Sequence, residues 1–388
     1  MNNSGISENL QVKSGVYTEK EIWGQPELWQ KIYEKVLHEK ASLVSFLEDA
    51  TANENLNIIL TGAGSSAFIG LSLISTFKRN LLKHTSAVST TDLVTHPNDC
   101  FYTDVPVLLI SFARSGNSPE SVAAVILADK ICSKVYHLII TCDTEGELAK
   151  HKTNSQKYTF ILPADANDKS LAMTGSYTGM LLAGLLVARI NEIEKLKVQV
   201  TTLSEYALKL LEQSAAFREI AEMNFDRAVF LGSGPLYGTA TESHLKLQEL
   251  TDGKVICKKD SFLGFRHGPK VVIDQKTLVF LLFSNKAEVL PYETDLLNEL
   301  SAGPKPLYMA GLTESGTFKV KPDKLFVLSE TGVKLDEEFL PVCFILPAQM
   351  IGFYKSLQQG LDPDMPSKSG SISRVVKGVV IYPYKNQQ

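Results

Sequence analysis

Two short segments of the chain combine small residues with hydroxyl groups in a way that suits the binding of an anion. They are 62–66 (GAGSS) and 114–120 (RSGNSPE), and a predicted helix follows each one. Unpaired N–H groups and the helix dipole attract negative charge to such helix starts. Pro119 suits the first helical position, which leaves Ser118 as the N-cap. We therefore predict a phosphate site whose ligands are Ser65, Ser66, Arg114, Ser115, Asn117 and Ser118.

Neither segment matches a nucleotide-binding pattern. A P-loop needs a lysine directly after its second glycine, and neither segment has one. A dinucleotide fingerprint needs a third glycine where Ala67 stands, and the later segment 232–238 (GSGPLYG) spaces its third glycine one residue too far on. For either loop alone, ordinary turn chemistry is the better explanation. Two hydroxyl-rich loops at neighbouring strand ends favour a phosphate, and a nucleotide cofactor is not expected.

The predicted helix 237–252 carries a second candidate set of residues. Glu242, Lys246 and Glu249 are separated by four and three residues, so they share one face of the helix. A solvated Glu–Lys pair is the plainer interpretation of this spacing. However, the helix follows a strand-end loop, so its first turns should border a cleft. Burial raises the pKa of a carboxyl group, which suits proton abstraction beside a carbonyl or imine.

Two further residues stand alone in their segments. His267 lies in a turn bounded by glycine and proline, 265–269 (FRHGP), and Lys368 lies in the polar stretch 362–371 (DPDMPSKSGS). On their own, these residues are typical of a structural hydrogen bonder and a solvated lysine. The sequence shows no group of histidines, cysteines and carboxylates at ligand spacing, so we expect neither a metal nor a cofactor.

The loops and helices follow a pattern that occurs twice. Each half of the chain has four short apolar runs, each followed by a polar loop and a helix; the runs are 57–61, 105–112, 137–141 and 158–162, then 227–231, 278–283, 306–309 and 324–328. Continuous apolar runs that alternate with helices predict a buried parallel sheet. We therefore predict an α/β protein with two tandem copies of a doubly wound parallel sheet. A single larger doubly wound domain is the alternative.

This pattern divides the chain into three predicted parts. Residues 1–44 form a tail without fixed structure followed by a helical arm, with Thr18 and Glu21 as a capping box. Residues 45–215 form a first domain that binds phosphate, and residues 220–388 form a second domain with the acid–base residues. A helix near 203–222 links them. Ligands of open parallel sheets bind at the carboxyl ends of the strands, where the two serine loops are expected.

The second half lacks a hydroxyl-rich loop that could bind a phosphate. The segment that corresponds to 115–118 reads Asn285-Lys286-Ala287-Glu288, and its carboxylate would repel an anion. We therefore expect one phosphate site per chain, in the first half.

Composition excludes several other classes of protein. The 388 residues are 44% hydrophobic with a net charge of −4, which gives no basic footprint for nucleic acid or a membrane surface. The five cysteines form no CxxC pair, which argues against a disulfide framework and for a reducing, cytoplasmic location. The polar N-terminus lacks the apolar stretch of a signal peptide. The apolar stretch near 180–188 is too short for a membrane span of about 20 residues.

Several of these motifs resemble a known superfamily. The loop ARSGNSPES, the stretch 242–249 (ESHLKLQE) with 265–269 (FRHGP), and the segments 361–364 (LDPD) and 367–369 (SKS) are similar to the sugar isomerase (SIS) superfamily. The segments 242–249, 265–269, 361–364 and 367–369 are similar to the isomerase half of glucosamine-6-phosphate synthase. The serine loop and the N-terminal residues Thr18, Glu21, Gln25 and Trp29 resemble the tagatose-6-phosphate ketose/aldose isomerase family. Some members of that family are described as galactosamine-6-phosphate deaminase/isomerases.

The resemblance implies roles for individual residues. Glu249 would be the general base, His267 would open the sugar ring, and Lys368 would assist as a Schiff-base or ring-opening lysine. Lys246 falls in the same motif and would bind the substrate. This chain departs from the synthase at two positions. Phe265 stands where the synthase has glutamate. Ala113 stands where it has a phosphate-binding serine, which leaves Arg114 to hold the phosphate.

Three functions are compatible with this resemblance. The first is conversion of galactosamine 6-phosphate into tagatose 6-phosphate and ammonia, the second is ketose/aldose isomerisation without deamination, and the third is non-catalytic sensing of a sugar phosphate. No basic DNA-binding module precedes the domains, which argues against a sensor. The resemblance also implies a homodimer or a higher oligomer, in which the histidine loop can enter the site of a neighbouring subunit.

Overall fold

Two five-stranded sheets form the framework of the computed structural model, which describes residues 14–376 and 378–385. The predicted N-terminal tail without fixed structure lies almost entirely outside the described residues. The first sheet contains β1 Asn57–Thr61, β2 His84–Ala87, β3 Val107–Ala113, β4 Val135–Thr141 and β5 Gln156–Ile161. The second contains β6 Arg227–Gly232, β7 Ile256–Asp260, β8 Thr277–Leu282, β9 Tyr308–Thr313 and β10 Lys324–Val327.

Both sheets are parallel and have the same strand order. The first runs β2-β1-β3-β4-β5 and the second β7-β6-β8-β9-β10, so each strand has a counterpart in the other sheet. This repeated order confirms the predicted duplication, and the alternative of one larger sheet is wrong. The central strands β3 and β4 are buried along their whole length because helices cover both faces of the sheet.

Helices connect and cover the strands. Within the described residues the α-helices are α1 Val16–Trp23, α2 Gln25–His38, α3 Lys40–Thr51, α4 Ser65–Leu81, α5 Thr90–Thr95, α6 Pro119–Ile131, α7 Glu147–Lys150, α8 Gly175–Ala188, α9 Lys197–Glu212, α10 Ser214–Glu222, α11 Leu236–Leu250, α12 Phe262–Phe265, α13 Leu290–Ala302, α14 Leu340–Phe344 and α15 Leu346–Gln358. Short 3₁₀ turns cover Pro97–Asp99, Ala164–Ala166, Ile190–Leu196, Pro269–Val272 and Glu337–Phe339. The predicted link near 203–222 is thus two helices, α9 and α10.

The eight apolar runs all correspond to strands, but β2 and β7 have no apolar run. Their sequences are HTSA and ICKKD, and most of their residues are only partly buried. Both strands lie at an edge of their sheet. An edge strand pairs on one side alone and tolerates polar residues, so it can form without a continuous apolar run, although the edge strands β5 and β10 do have one.

The N-terminal helices belong to the core rather than to a separate arm. Trp29, Ile32 and Val36 of α2 are fully buried and share one hydrophobic core with residues of both repeats. The predicted capping box is wrong, because Thr18 lies inside α1 and Gly15 precedes that helix. The predicted boundary after residue 44 falls inside α3.

One apolar stretch in the described chain has the length and composition of a membrane span. This stretch is Glu337–Gln358, a different and longer segment than the apolar stretch near 180–188. Inside the protein, 89% of its apolar window is buried. Burial of this degree is typical of a core helix.

The two repeats meet where α4 packs against α11. The Ser72 hydroxyl on α4 donates a hydrogen bond of 2.8 Å to the carbonyl oxygen of Pro235, directly before α11. A Cβ atom added to Gly238 would lie 2.8 Å from the Ser72 nitrogen and 2.9 Å from the Phe68 carbonyl oxygen. The glycine therefore allows the two helix backbones to approach closely.

We predict that Gly238→Ala separates the repeats at this contact. Overpacking of this kind costs about 1–3 kcal/mol, so chemical denaturation should show a lower midpoint than for the natural protein. Ser75→Ala, on the exposed face of α4, is the control and should leave the midpoint unchanged. An unchanged midpoint for Gly238→Ala would show that the helices can shift freely at this position.

Candidate active site

A cavity of about 540 Å³ lies at the carboxyl ends of β1 and β3. The strand order reverses between these two strands, and open α/β sheets bind their ligands at such a point. Residues from both repeats and from the C-terminal segment line it: Ala63–Ser66, Phe112–Gly116, Ser118, Ser121, Leu171, Met173, Lys246, Glu249, Gly370–Arg374 and Val376.

The loop after β1 forms one side of the cavity. Gly64 has a φ of 56°, in the left-handed region, and this turn leads directly into α4. Ser65 and Ser66 begin that helix and are almost completely buried. Their hydroxyls therefore lie at a helix start, where the dipole favours an anion.

The loop after β3 forms the neighbouring side. Ser115, Gly116 and Ser118 line the cavity, and Gly116 has a φ of 67°. Asn117 differs from its prediction, because its side chain is exposed and its Oδ1 accepts a hydrogen bond of 3.0 Å from the Glu147 N–H. Its side chain thus holds the start of α7, outside the residues that line the cavity.

Arg114 lines the cavity and also forms hydrogen bonds to the loops around it. Its guanidinium donates hydrogen bonds to the carbonyl oxygens of Ser170 at 3.2 Å and Leu171 at 3.1 Å. It donates a third to the carbonyl oxygen of Arg374 at 2.8 Å. Arg114 therefore brings positive charge to the cavity while most of its donors hold the surrounding loops.

The second repeat supplies the acid–base residues from α11. Lys246 Nζ lies 2.6 Å from Glu249 Oε2 and 3.3 Å from Glu242 Oε1. Glu242 and Lys246 are fully buried, so the interpretation as a solvated pair is wrong. The Glu249 side chain retains 23% of its exposure and faces the cavity.

Burial and pairing oppose each other in this cluster. Burial raises the pKa of Glu242 to about 7, although Lys246 acts in the other direction. Burial alone would lower the pKa of Lys246, but the carboxylates of Glu242 and Glu249 raise it above its usual value. The two carboxylates therefore favour the charged form of Lys246, whose ammonium group contacts Glu249 Oε2.

His267 and Lys368 lie outside this cavity in the chain described here. His267 is exposed in the turn after α12, and Lys368 is exposed two residues before the segment that lines the cavity. The serine loops, Arg114, Lys246 and Glu249 are brought together by one chain, whereas these two residues are not.

Several residues of the cavity have no signal in the sequence. Leu171 and Met173 come from the loop before α8, and Ile372 and Arg374 come from the C-terminal segment. Their contact with the serine loops depends on how distant segments fold together, and their residue types are common in loops. Glu242 was visible as a helical neighbour of Lys246, but its burial was not.

The corresponding position of the second repeat is occupied by ion pairs. A cavity at the ends of β6 and β8 is lined by Arg189 with Asp336, Glu337 and Glu338. Arg189 Nη1 lies 2.6 Å from Asp336 Oδ2 and 3.0 Å from Glu338 Oε1. Arg79, Lys286 and Glu192 line the same cavity, which therefore combines three cations with four carboxylates. That each chain has one phosphate site stays a prediction.

Two identically ordered parallel sheets, with serine loops at the reversal point of the first, define a double sugar isomerase (SIS) protein. The SIS domain family model matches residues 52–189. D-galactosamine-6-phosphate deaminase AgaS of Shewanella sp. strain ANA-3 is 38% identical over 97% of this chain and 95% of its own length. The protein of that name from Escherichia coli is 38% identical over 96% of this chain and 97% of its own.

A solved structure gives the same assignment. The tagatose-6-phosphate ketose/aldose isomerase of Escherichia coli superimposes with a TM-score of 0.87, at 37% identity, over 96% of this chain and 98% of that one. This chain therefore belongs to the AgaS family of SIS proteins, as its N-terminal and serine-loop motifs predicted.

We predict that an acidic residue in the serine loop abolishes anion binding. At a hundredfold excess over its Kd, inorganic phosphate should stabilise the natural protein by about 2.7 kcal/mol and raise its melting temperature. Ser115→Asp should remove this stabilisation because its carboxylate repels the anion. Ser133→Asp makes the same change on an exposed residue before β4 and should retain the effect. Equal stabilisation of both variants would place the anion elsewhere.

Proposed function

We propose that this protein is an amino-sugar phosphate deaminase/isomerase that converts galactosamine 6-phosphate and water into tagatose 6-phosphate and ammonia. One observation carries the proposal: a cavity of hexose size is lined both by the serine loops and by the Glu249–Lys246 pair. The relatives named D-galactosamine-6-phosphate deaminase supply the substrate class.

The phosphate is held at the strand ends of the first repeat. Ser65, Ser66, Ser115 and Ser118 surround the anion with hydroxyl groups at two helix starts, and Arg114 adds a positive charge. This anchor fixes one end of an open-chain sugar, so that its other end lies within reach of α11.

Glu249 then moves a proton at the far end of the sugar. In the open-chain 2-amino aldose, the carboxylate takes the proton from C2 and returns it to C1, while a proton of the 2-amino group passes to the aldehyde oxygen. C1 thereby becomes a hydroxymethyl group and C2 becomes an imine. Water adds to C2 of this imine, and ammonia leaves with the C2–N electron pair. The remaining carbonyl at C2 makes the product a ketose.

Lys246 and Glu242 prepare Glu249 for this task. The ammonium group of Lys246 donates to Glu249 Oε2 and fixes its orientation, while Glu242 stabilises the buried ammonium from the other side. Because Lys246 lines the cavity, its charge also stabilises negative charge that develops on the substrate.

Ring opening requires groups that this chain does not bring into its own cavity. We infer that the protein is a homodimer or higher oligomer in which His267, exposed after α12, enters the cavity of a neighbouring subunit. Lys368 also lies outside the cavity, two residues before the lining segment, and would assist His267. The substrate is a small sugar phosphate, and neither nucleic acid nor a membrane takes part. The five cysteines are all free, which fits a cytoplasmic location.

Isomerisation without deamination is the second candidate. The structural neighbour named tagatose-6-phosphate ketose/aldose isomerase favours it, and the same proton transfer between C2 and C1 would serve a 2-hydroxy aldose. Release of ammonia separates the two activities.

We predict that the purified protein releases ammonia from galactosamine 6-phosphate faster than from glucosamine 6-phosphate. Glu249→Gln should lower kcat by about 10²–10⁴-fold because the amide accepts no proton, and sugar-phosphate binding should remain. A coupled ammonia assay and calorimetric titration measure the two quantities. Glu205→Gln on α9 is the control and should leave kcat and sugar-phosphate binding unchanged.

Three results would contradict this assignment. Wild-type ammonia release by Glu249→Gln would exclude Glu249 as the base. Interconversion of tagatose 6-phosphate with an aldose phosphate, together with no ammonia from either amino sugar, would establish the simple isomerase instead. Binding of these sugars without any product would identify a sensor.

We predict that His267→Ala and Glu249→Gln complement each other. If the histidine enters a neighbouring site, a hybrid dimer of the two inactive chains has one site with both natural residues. Coexpression with two different affinity tags, followed by isolation of the hybrid, should therefore restore ammonia release. Hybrids as inactive as their parents would show that both residues act within one chain.

A further inference from the structure

The N-terminal motif that first indicated the family has no part in the chemistry proposed above. Its polar members are Thr18, Glu21, Gln25 and Trp29, and the structure shows what each of them contacts. Gln25 Nε2 donates to Gln349 Oε1 at 2.8 Å, and the Trp29 indole donates to the Thr178 hydroxyl at 3.1 Å. The four side chains are turned towards α8, the loop before it or the C-terminal region.

Glu21 on α1 holds the loop 168–173. Its Oε1 accepts hydrogen bonds from the N–H groups of Lys169 at 2.5 Å and Ser170 at 3.3 Å. Its Oε2 accepts from the Ser170 hydroxyl. One carboxylate therefore fixes two consecutive residues of a loop that lies about 150 positions further along the chain.

Thr18 ties the same loop to the C-terminal region. Both its N–H and its hydroxyl donate to Asp364 Oδ1, each at 2.7 Å. The carbonyl oxygen of Asp364 in turn accepts the Leu171 N–H at 3.0 Å. Helix α1 thus contacts the loop directly through Glu21 and indirectly through Asp364.

This loop is a wall of the cavity. Leu171 and Met173 line it, and the Ser170 and Leu171 carbonyl oxygens are the acceptors for Arg114. The carbonyl oxygen of Asp168 accepts from Arg374, which lies in the lining C-terminal segment. A displacement of residues 169–171 would therefore move the guanidinium of Arg114 and one side of the cavity together.

The surroundings of Glu21 make its charged carboxylate costly to bury. Burial and the nearby Asp168 carboxylate raise the pKa of Glu21 to about 7. Two acidic groups close together and mostly out of water are costly unless donors satisfy them. The N–H groups of Lys169 and Ser170 and the Ser170 hydroxyl supply these donors, so the carboxylate is tolerated there because it binds the loop.

We propose that Glu21 is a positioning residue for the active site, which sets the loop 168–173 and through it Arg114 at the phosphate end of the cavity. This inference rests on the proposed function, because it assigns the loop to the sugar-phosphate site. Glu21 does not line the cavity, so its effect passes through Ser170 and Leu171.

Kinetics of Glu21→Ala test the proposal. Loss of three hydrogen bonds to a carboxylate should loosen the loop and raise KM for galactosamine 6-phosphate about tenfold, with a smaller change in kcat. The Kd for inorganic phosphate should rise in parallel, because Arg114 is displaced. Glu21→Gln should recover most of the loss, since its amide oxygen still accepts from the backbone of Lys169 and Ser170.

Controls separate positioning from simple stabilisation. Glu27→Ala removes an exposed carboxylate from neighbouring α2 and should leave KM and Kd unchanged. If Glu21→Ala does not fold, Thr18→Val removes only the hydroxyl bond to Asp364 and should raise KM about threefold. A lower melting temperature with unchanged KM and phosphate Kd would overturn the proposal and leave Glu21 a purely structural residue.

The same measurements distinguish failure of this inference from failure of the proposed function. If the natural protein does not turn over galactosamine 6-phosphate, the proposed function is wrong, but the phosphate Kd of the variants still tests the link between Glu21 and Arg114. If the natural protein is active and Glu21→Ala matches it in KM and Kd, only the positioning role is wrong.

Discussion

The buried ammonium group of Lys246 is the constraint on which the site depends. A charge without contact with water is tolerated only beside opposite charges, and Glu242 and Glu249 supply these from neighbouring turns of α11. Because the serine loops belong to the first repeat and α11 to the second, the contact between α4 and α11 sets the distance from the serine loops to Glu249. The fold therefore brings together two half-sites, neither of which has both an anion anchor and a proton acceptor.

The duplication of the fold was not accompanied by duplication of the chemistry. Both repeats have a crevice where the strand order reverses, but serines line the first and charged side chains line the second. Arg189 and its acidic partners neutralise each other there and connect the two repeats, since Arg189 follows α8 and Asp336 lies in the second repeat. This position of the second repeat is therefore part of the interface between the repeats.

The sequence predicted the central strands and the serine loops well, for a physical reason. Strands buried on both faces must be apolar throughout, and a tight turn into a helix needs small residues such as Gly64. The edge strands β2 and β7 lack this requirement and were missed. The environments of Glu242 and Asn117 were also missed, because burial and side-chain direction depend on packing between segments that are distant in sequence. The walls at Leu171 and Ile372 arise from such packing alone.

The wall of the cavity is held from both ends of the polypeptide, by α1 near the beginning and by residues 364 and 374 near the end. During synthesis on the ribosome, the first repeat can form its sheet and its serine loops long before residue 374 has emerged. Until then the loop before α8 has only some of its partners, and α11 is also absent. A nascent chain therefore acquires the serine loops early but completes the cavity only after residue 374 has left the ribosome.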